Sequence, residues 1–162
     1  SLSREPWQSR LCYLGQQPPI LRGSVADNLR LAGPQASDAA LIQVLEQVAL
    51  WPLLAQRDGL ETALEERGKG LSGGQLQRLA LAQFLLRPAS IWLFDEPTAH
   101  LDPESALELH RLIERLSRGR SVLVVSHEAD GFEWVDRRLI IEPPTSSYTT
   151  CTEASIEERQ HA

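Results

Sequence analysis

Methionine is missing altogether from these 162 residues, lysine occurs once, at Lys69, and cysteine twice, at Cys12 and Cys151. With no initiating methionine ahead of Ser1, the chain reads as the end of a longer protein. Two cysteines are too few for a disulfide framework and fit a reducing compartment. No apolar run approaches the roughly 18 residues that a membrane-crossing helix needs; the longest lie around Leu79–Leu86 and Ile91–Phe94. No signal peptide opens the chain, and no segment repeats. Positive charge is scarce as well. Lysine and arginine total 16 against 22 acidic residues, a formal charge of −6, which argues against a nucleic-acid binder relying on bulk charge. What remains is a globular composition, 42% hydrophobic and 23% charged. A complete domain of this length buries roughly 70% of its unfolded surface.

Strand-like and helix-like segments alternate. Arg10–Leu14 is a short apolar run closed by Gly15-Gln-Gln-Pro-Pro19, a strand running into a loop. Ser24–Leu31 is short and mixed. Ala40, Leu41, Val44, Leu45, Val48 and Ala49 recur at helical spacing and predict a helix from about Asp38 to Leu50, interrupted at Pro52. Gly59–Lys69 is polar and without period, a loop. Leu76, Leu79, Ala80, Ala82, Gln83 and Leu86 predict an amphipathic helix stopped by Pro88. Ser90–Phe94 reads as a strand buried on both faces and ending in Asp95-Glu96-Pro97. Pro103 opens a further helix, ended by Gly119, and Ser121–Val125 is a second buried strand broken at Ser126-His127. A short segment and a last strand, Arg137–Ile141, follow; the polar, turn-rich residues after Glu142 predict a mobile tail. The alternation means an α/β domain with a largely parallel sheet. In such sheets the chemistry sits at the carboxyl ends of the strands, where Asp95, Glu96 and His127 fall.

Two stretches carry chemistry. A hydrophobic strand ending in two adjacent acids presents one carboxylate, Asp95, to a hydrated Mg²⁺ and the next, Glu96, to an attacking water. Its bland alternative is a strand that ends in a solvated acidic turn. Leu71-Ser72-Gly73-Gly74-Gln75 is more specific. Two glycines at a helix start expose backbone N–H groups to a phosphate, the helix dipole favours the anion, and Ser72 adds a hydroxyl donor. A serine-capped helix with a glycine-rich entry is the plain reading of that stretch alone.

Together these motifs resemble the ATPase domain of ATP-binding-cassette (ABC) transporters. Leu71–Gln75 is similar to the LSGGQ signature, Ile91–Glu96 to the Walker B strand, Ala99-His100-Leu101-Asp102 to the D-loop, His127 to the switch histidine, and Gln16 to the Q-loop glutamine. Glu66-Arg67-Gly68 and Leu21–Leu29 resemble exporter-type segments. The likeness covers about Arg10 to Glu142, with 143–162 a polar tail. Among exporters it is nearest in flavour to the half-transporter pair that exports cysteine and glutathione during cytochrome bd assembly.

The resemblance implies a P-loop NTPase-like fold with a mostly parallel sheet and a helical signature subdomain, truncated at its N-terminus. It implies ATP and Mg²⁺, and a head-to-tail pair of ATPase domains, identical or different, attached to a transmembrane domain at the cytoplasmic face of the membrane, with no nucleic-acid partner. Gln16 and Asp95 would serve the metal, and Glu96 and His127 the reaction. Ser72, Gly73, Gly74 and Gln75 would meet the γ-phosphate held by the partner domain, and Asp102 would contact across the pair. One part is lacking: no G-x-x-x-x-G-K-[ST] phosphate cradle occurs, since Gly70 follows the single lysine. The fragment alone should therefore bind ATP poorly and leave apolar sheet faces uncovered.

Rival readings are a degenerate or regulatory cassette that pairs with a competent partner, a chromosome-maintenance ATPase, and a dinucleotide-binding oxidoreductase. For the last, Gly68, Gly70 and Gly73 satisfy G-x-G-x-x-G, with Asp95 beyond them. The charged run Glu61–Arg67 ahead of it is unsuited to the buried strand that fingerprint requires.

Overall fold

The structure, a computed structural model, describes residues 10–127, 131–141 and 154–158. The chain divides into two compact units, one up to Gly131 and one from Phe132.

In the first unit, β1 (Leu11–Leu14), β4 (Ile91–Asp95) and β5 (Ser121–Val125) form a parallel sheet in the order β1-β4-β5. Its register pairs Leu14 with Phe94 and Phe94 with Val124. Side chains alternate across the sheet, so Cys12, Leu14, Trp92 and Phe94 share one face and are buried. Phe84, from α4 (Gly73–Leu85), packs on that face, its ring 5.6 Å from Trp92 and 5.9 Å from Phe94. The opposite face is open: Tyr13, Leu123 and Val125 are all about half exposed. The uncovered apolar face expected from the sequence is therefore present. The strand at Ile91–Asp95 is buried on one side, where the sequence suggested both.

Helices make up the rest of this unit. A short antiparallel pair, β2 (Gly23–Ser24) and β3 (Ala63–Leu64), flanks α1 (Val25–Arg30). Ser24 and Asp27 form a capping box there, so the mixed stretch after Gly23 is a helix, and the polar stretch 59–69 supplies its paired strand. The next helix, α2 (Asp38–Gln47), is capped by Ser37 and buries Leu41, Val44 and Leu45. It ends before Leu50 because Ala49 turns left-handed at φ 55°. Pro52 does not interrupt it; this proline stands in the first turn of α3 (Trp51–Ala55), where its missing N–H costs nothing. The long helix α5 (Pro103–Ser117) buries Leu109, Leu112, Ile113 and Leu116 and packs against α4. Gly68, at φ 70°, lies so close to Leu76 that a Cβ would sit 2.1 Å from its Cδ2, which restricts this turn to glycine. Among the described residues no helix is long and apolar enough to cross a membrane.

The second unit holds an antiparallel pair, β6 (Arg137–Ile141) and β7 (Ala154–Glu158), in the register Leu139 to Ile156. β7 lies within the stretch 143–162 that the sequence reads as a polar, mobile tail. Ala154-Ser-Ile-Glu-Glu158 has weak strand character of its own, and pairing with β6 supplies what local propensity does not. The remainder of that tail lies outside the described residues.

Candidate functional site

The carboxyl edge of the sheet gathers the first group of side chains. Asp95 closes β4, and its Oδ2 accepts a 2.8 Å hydrogen bond from the Tyr13 hydroxyl of β1. That bond raises the Tyr13 phenol above its ordinary range, because the adjacent carboxylate favours the protonated donor. Glu96 follows at φ 51°, a left-handed conformation uncommon outside glycine, asparagine and aspartate. Its N–H donates to the Val125 carbonyl at 2.9 Å, carrying the parallel ladder one residue past the strand. Its Oε1 accepts from the His127 N–H at 2.9 Å and lies 2.8 Å from His127 Nδ1. Both contacts use one oxygen, which leaves Oε2 able to accept from a water. Nδ1 must carry a proton to donate in this arrangement. The Glu96 side chain is 15% exposed and that of His127 72%, so a part-buried carboxylate is held by a solvent-facing ring.

Gln16 follows β1 by two residues at the same carboxyl edge of the sheet, with an exposed side chain. Its backbone carbonyl accepts from Nε2 of Gln77, a buried residue of α4, at 3.1 Å. This ties the loop after β1 to the helix that begins at Ser72.

The second group lies where α4 and α5 start. Ser72 is the N-cap of α4: its Oγ accepts from the Gln75 N–H at 3.3 Å, and Gln75 Oε1 accepts from the Ser72 N–H at 2.9 Å. A Cβ on Gly73 would fall 2.9 Å from Leu101 Cδ2, and one on Gly74 3.6 Å from Ser105 Cβ. Gly73 therefore lets the start of α4 approach the loop before α5, a Cβ on Gly74 would make only ordinary contact, and Asp102 caps α5 by accepting from the Ser105 N–H at 3.0 Å. Beside Ser72, Gly74 and Gln75 runs an open groove of about 600 Å³ walled by Arg78, Glu108 and Arg111. Arg78 bonds Glu108 at 2.6 Å and the Val48 carbonyl at 3.0 Å. The intervening loop is anchored by Thr98, whose buried hydroxyl lies 3.2 Å from Nε2 of His110.

Asp102 yields a pH prediction. Hydrogen bonds from Ser105, side chain first and then backbone, hold its carboxyl below the ordinary aspartate range. A depressed pKa stabilises the fold above the unfolded value, and that contribution is lost as pH falls through the folded one. Asp102→Ala should therefore melt below wild type at neutral pH, with the gap narrowing once pH drops under about 4. A gap that stayed constant well below that pH would show the cap owes nothing to the charge.

The sequence-derived residues thus fall into two groups: Gln16, Asp95, Glu96 and His127 at the sheet edge, and Ser72, Gly73, Gly74, Gln75 and Asp102 at the two helix starts. Tyr13 and Gln77 escaped sequence reasoning, since each is revealed only by where the fold brings two distant segments together. The donors fit a magnesium ion that keeps most of its waters. Asp95 retains Oδ1 beyond its bond to Tyr13, a hard carboxylate oxygen of the kind such an ion takes, and among the described residues no group of three histidine, cysteine or acidic side chains could enclose a metal unaided.

Comparison with known proteins identifies the family. A family model described as ABC transporter matches residues 2–99. The glutathione/L-cysteine transport system ATP-binding/permease protein CydC of Haemophilus influenzae is 36% identical over 142 residues, which is 86% of this chain and 25% of that protein. The multidrug resistance ABC transporter ATP-binding and permease protein of Lactococcus lactis is 37% identical over 145 residues, or 88% of this chain and 24% of that one. A solved structure of a bacterial Atm1-family ABC exporter with ATP bound superposes with a TM-score of 0.73 at 25% identity, covering 83% of this chain and 24% of the other. The chain thus spans about a quarter of the length of these relatives.

Proposed function

The chain belongs to the ABC transporter family, and on that premise we propose that it is part of the ATP-hydrolysing domain of an exporter, converting nucleotide turnover into movement of a transmembrane domain. The observation that carries this reading is the pairing of Asp95 and Glu96 at the end of β4. One acid is steadied by Tyr13 and the other by His127. Two neighbouring carboxylates with separate partners suit two separate tasks.

In this reading Asp95 and Gln16 would hold a hydrated Mg²⁺, which would supply positive charge against the phosphates of ATP. Glu96 takes a proton from the attacking water at Oε2, while His127 keeps the carboxylate aimed through Oε1. His127, which meets Glu96 through Nδ1, would face the γ-phosphate from beside that carboxylate. No P-loop motif occurs among these residues, so they do not by themselves supply the cradle for the phosphates. The γ-phosphate is capped from the second domain of a head-to-tail pair. There the N–H groups of Gly73 and Gly74 and the Ser72 hydroxyl, whose oxygen only accepts within the capping box, present donors at a positive helix end. Asp102, next to that cap, lies on the surface between the domains. The pair would sit at the cytoplasmic face of the membrane, its partner domain identical or different.

A mixing experiment on the full-length protein tests the shared site. Ser72→Arg and Glu96→Gln each abolish hydrolysis when present in every subunit. A dimer with one of each keeps one site whole, because the intact Glu96 of the first subunit faces the intact Ser72 of the second. Mixing the two variants should restore roughly a quarter of wild-type turnover, allowing for statistical assortment. If the two groups served one site within a single chain, no mixture would recover any.

A further inference from the structure

Tyr13 stands on the open face of the sheet, 56% exposed, in a row otherwise made of Leu93, Leu123 and Val125. Its register partner on β4 is Leu93, and Asp95 lies two residues further along the same face. Same-face neighbours two residues along are within reach of a long aromatic side chain. The hydroxyl crosses to Asp95 Oδ2 at 2.8 Å, joining positions 82 residues apart. Gly15 makes the crossing possible. A Cβ at that position would fall 2.9 Å from the Tyr13 hydroxyl oxygen and 3.2 Å from its ring, so the ring lies across a place that only glycine leaves clear.

We propose that Tyr13, with Gly15 clearing its path, is a positioning residue for the metal-holding carboxylate: its hydroxyl occupies Oδ2 of Asp95 and turns Oδ1 toward the cation. The inference rests on the assignment of Asp95 to Mg²⁺ made above. A carboxylate with both oxygens unconstrained rotates and can meet a hydrated ion in several ways. One whose second oxygen is engaged presents a single orientation, and partners of this kind commonly matter to metal affinity as much as the ligand they aim. The bond sits near solvent, so its effect is on orientation and adds little to global stability.

The test uses full-length protein with ATP and Mn²⁺ in place of Mg²⁺, reading free Mn²⁺ by electron paramagnetic resonance. Tyr13→Phe removes one oxygen atom and should weaken Mn²⁺ binding about tenfold. Turnover should return to within about threefold of wild type once Mg²⁺ is saturating, a split between affinity and rate that loss of folding would not produce. Gly15→Ala keeps the hydroxyl but displaces it, and should weaken binding to a similar degree. In the double variant the losses should not add, because both act through the same bond. Unchanged Mn²⁺ affinity in Tyr13→Phe, or fully additive losses, would overturn the inference. Asp95→Asn separates the two levels of the argument. If it weakens Mn²⁺ binding while Tyr13→Phe does not, the positioning role fails alone; if it has no effect either, the metal assignment fails with it.

Discussion

Full-length protein carrying Glu96→Gln should bind ATP as wild type does and hydrolyse it about 10²–10⁴ times more slowly, the usual contribution of a positioned general base. The substitution changes little besides basicity. Glutamine has nearly the same volume, so the ring of His127 keeps its place. An amide oxygen can still accept from the His127 N–H that now reaches Oε1 at 2.9 Å. What is lost is the lone pair able to take a proton from water. Phosphate release under single-turnover conditions, beside equilibrium binding of ATP, separates the two effects. Turnover within about threefold of wild type would remove Glu96 from the chemistry and leave the Glu96–His127 pair a structural contact. Weakened ATP binding with an unaltered hydrolysis step would instead make it a ligand-holding group.

The division between what could be read from the sequence and what could not follows how far apart the interacting residues lie. Ser72-Gly-Gly-Gln75 declares its own geometry, because a capping box needs only residues three apart and the glycines announce a close approach. The end of β4 is equally local: four apolar residues meeting two acids define a strand, its edge and its direction. Ser24-Val-Ala-Asp27 carried the same kind of signal, and the mixed character of the residues around it concealed a capped helix. Nothing local says that Tyr13 reaches Asp95, that Gln77 donates to the Gln16 carbonyl, or that Glu96 takes both its bonds from His127 on one oxygen. Those contacts depend on the register of parallel strands whose pairing is set by connections of tens of residues. The strand at Ala154–Glu158 was hidden for a related reason, since its identity comes from its partner.

Helix ends show the same principle from the other side. Hydrophobic spacing continues to Val48 and Ala49, so periodicity carried the predicted helix to Leu50. The backbone leaves the helix at Val48 and turns left-handed at Ala49, with no glycine to announce it. Leu50 is buried to the same degree as the helical positions before it. Apolar period reports burial, and burial continues through the turn into α3.

Phe94→Ala should destabilise the protein by about 3–5 kcal/mol, the range for deleting a fully enclosed phenyl ring. Phe94 has no exposed surface, and its ring lies 5.9 Å from Phe84 and 6.0 Å from Trp92. These three rings join β4 to α4, and Arg120 lies 4.4 Å above the Trp92 ring at the margin of the cluster. Removing the central ring leaves a void that two rigid aromatic neighbours cannot close by changing rotamer. The loss is a large part of the roughly 5–15 kcal/mol that holds a domain folded. It would lower the melting temperature by about 6–20 °C for a protein of this size. Urea unfolding followed by circular dichroism reads it directly, and a change under about 1 kcal/mol would mean that the ring is not enclosed as described. Tyr13→Phe provides the contrast. It acts on the opposite face of the same sheet and should leave the unfolding midpoint nearly unmoved. One face of β4 secures the fold through Trp92 and Phe94 while the other presents Asp95. Stability and metal affinity should therefore respond to different substitutions on strands that share a register.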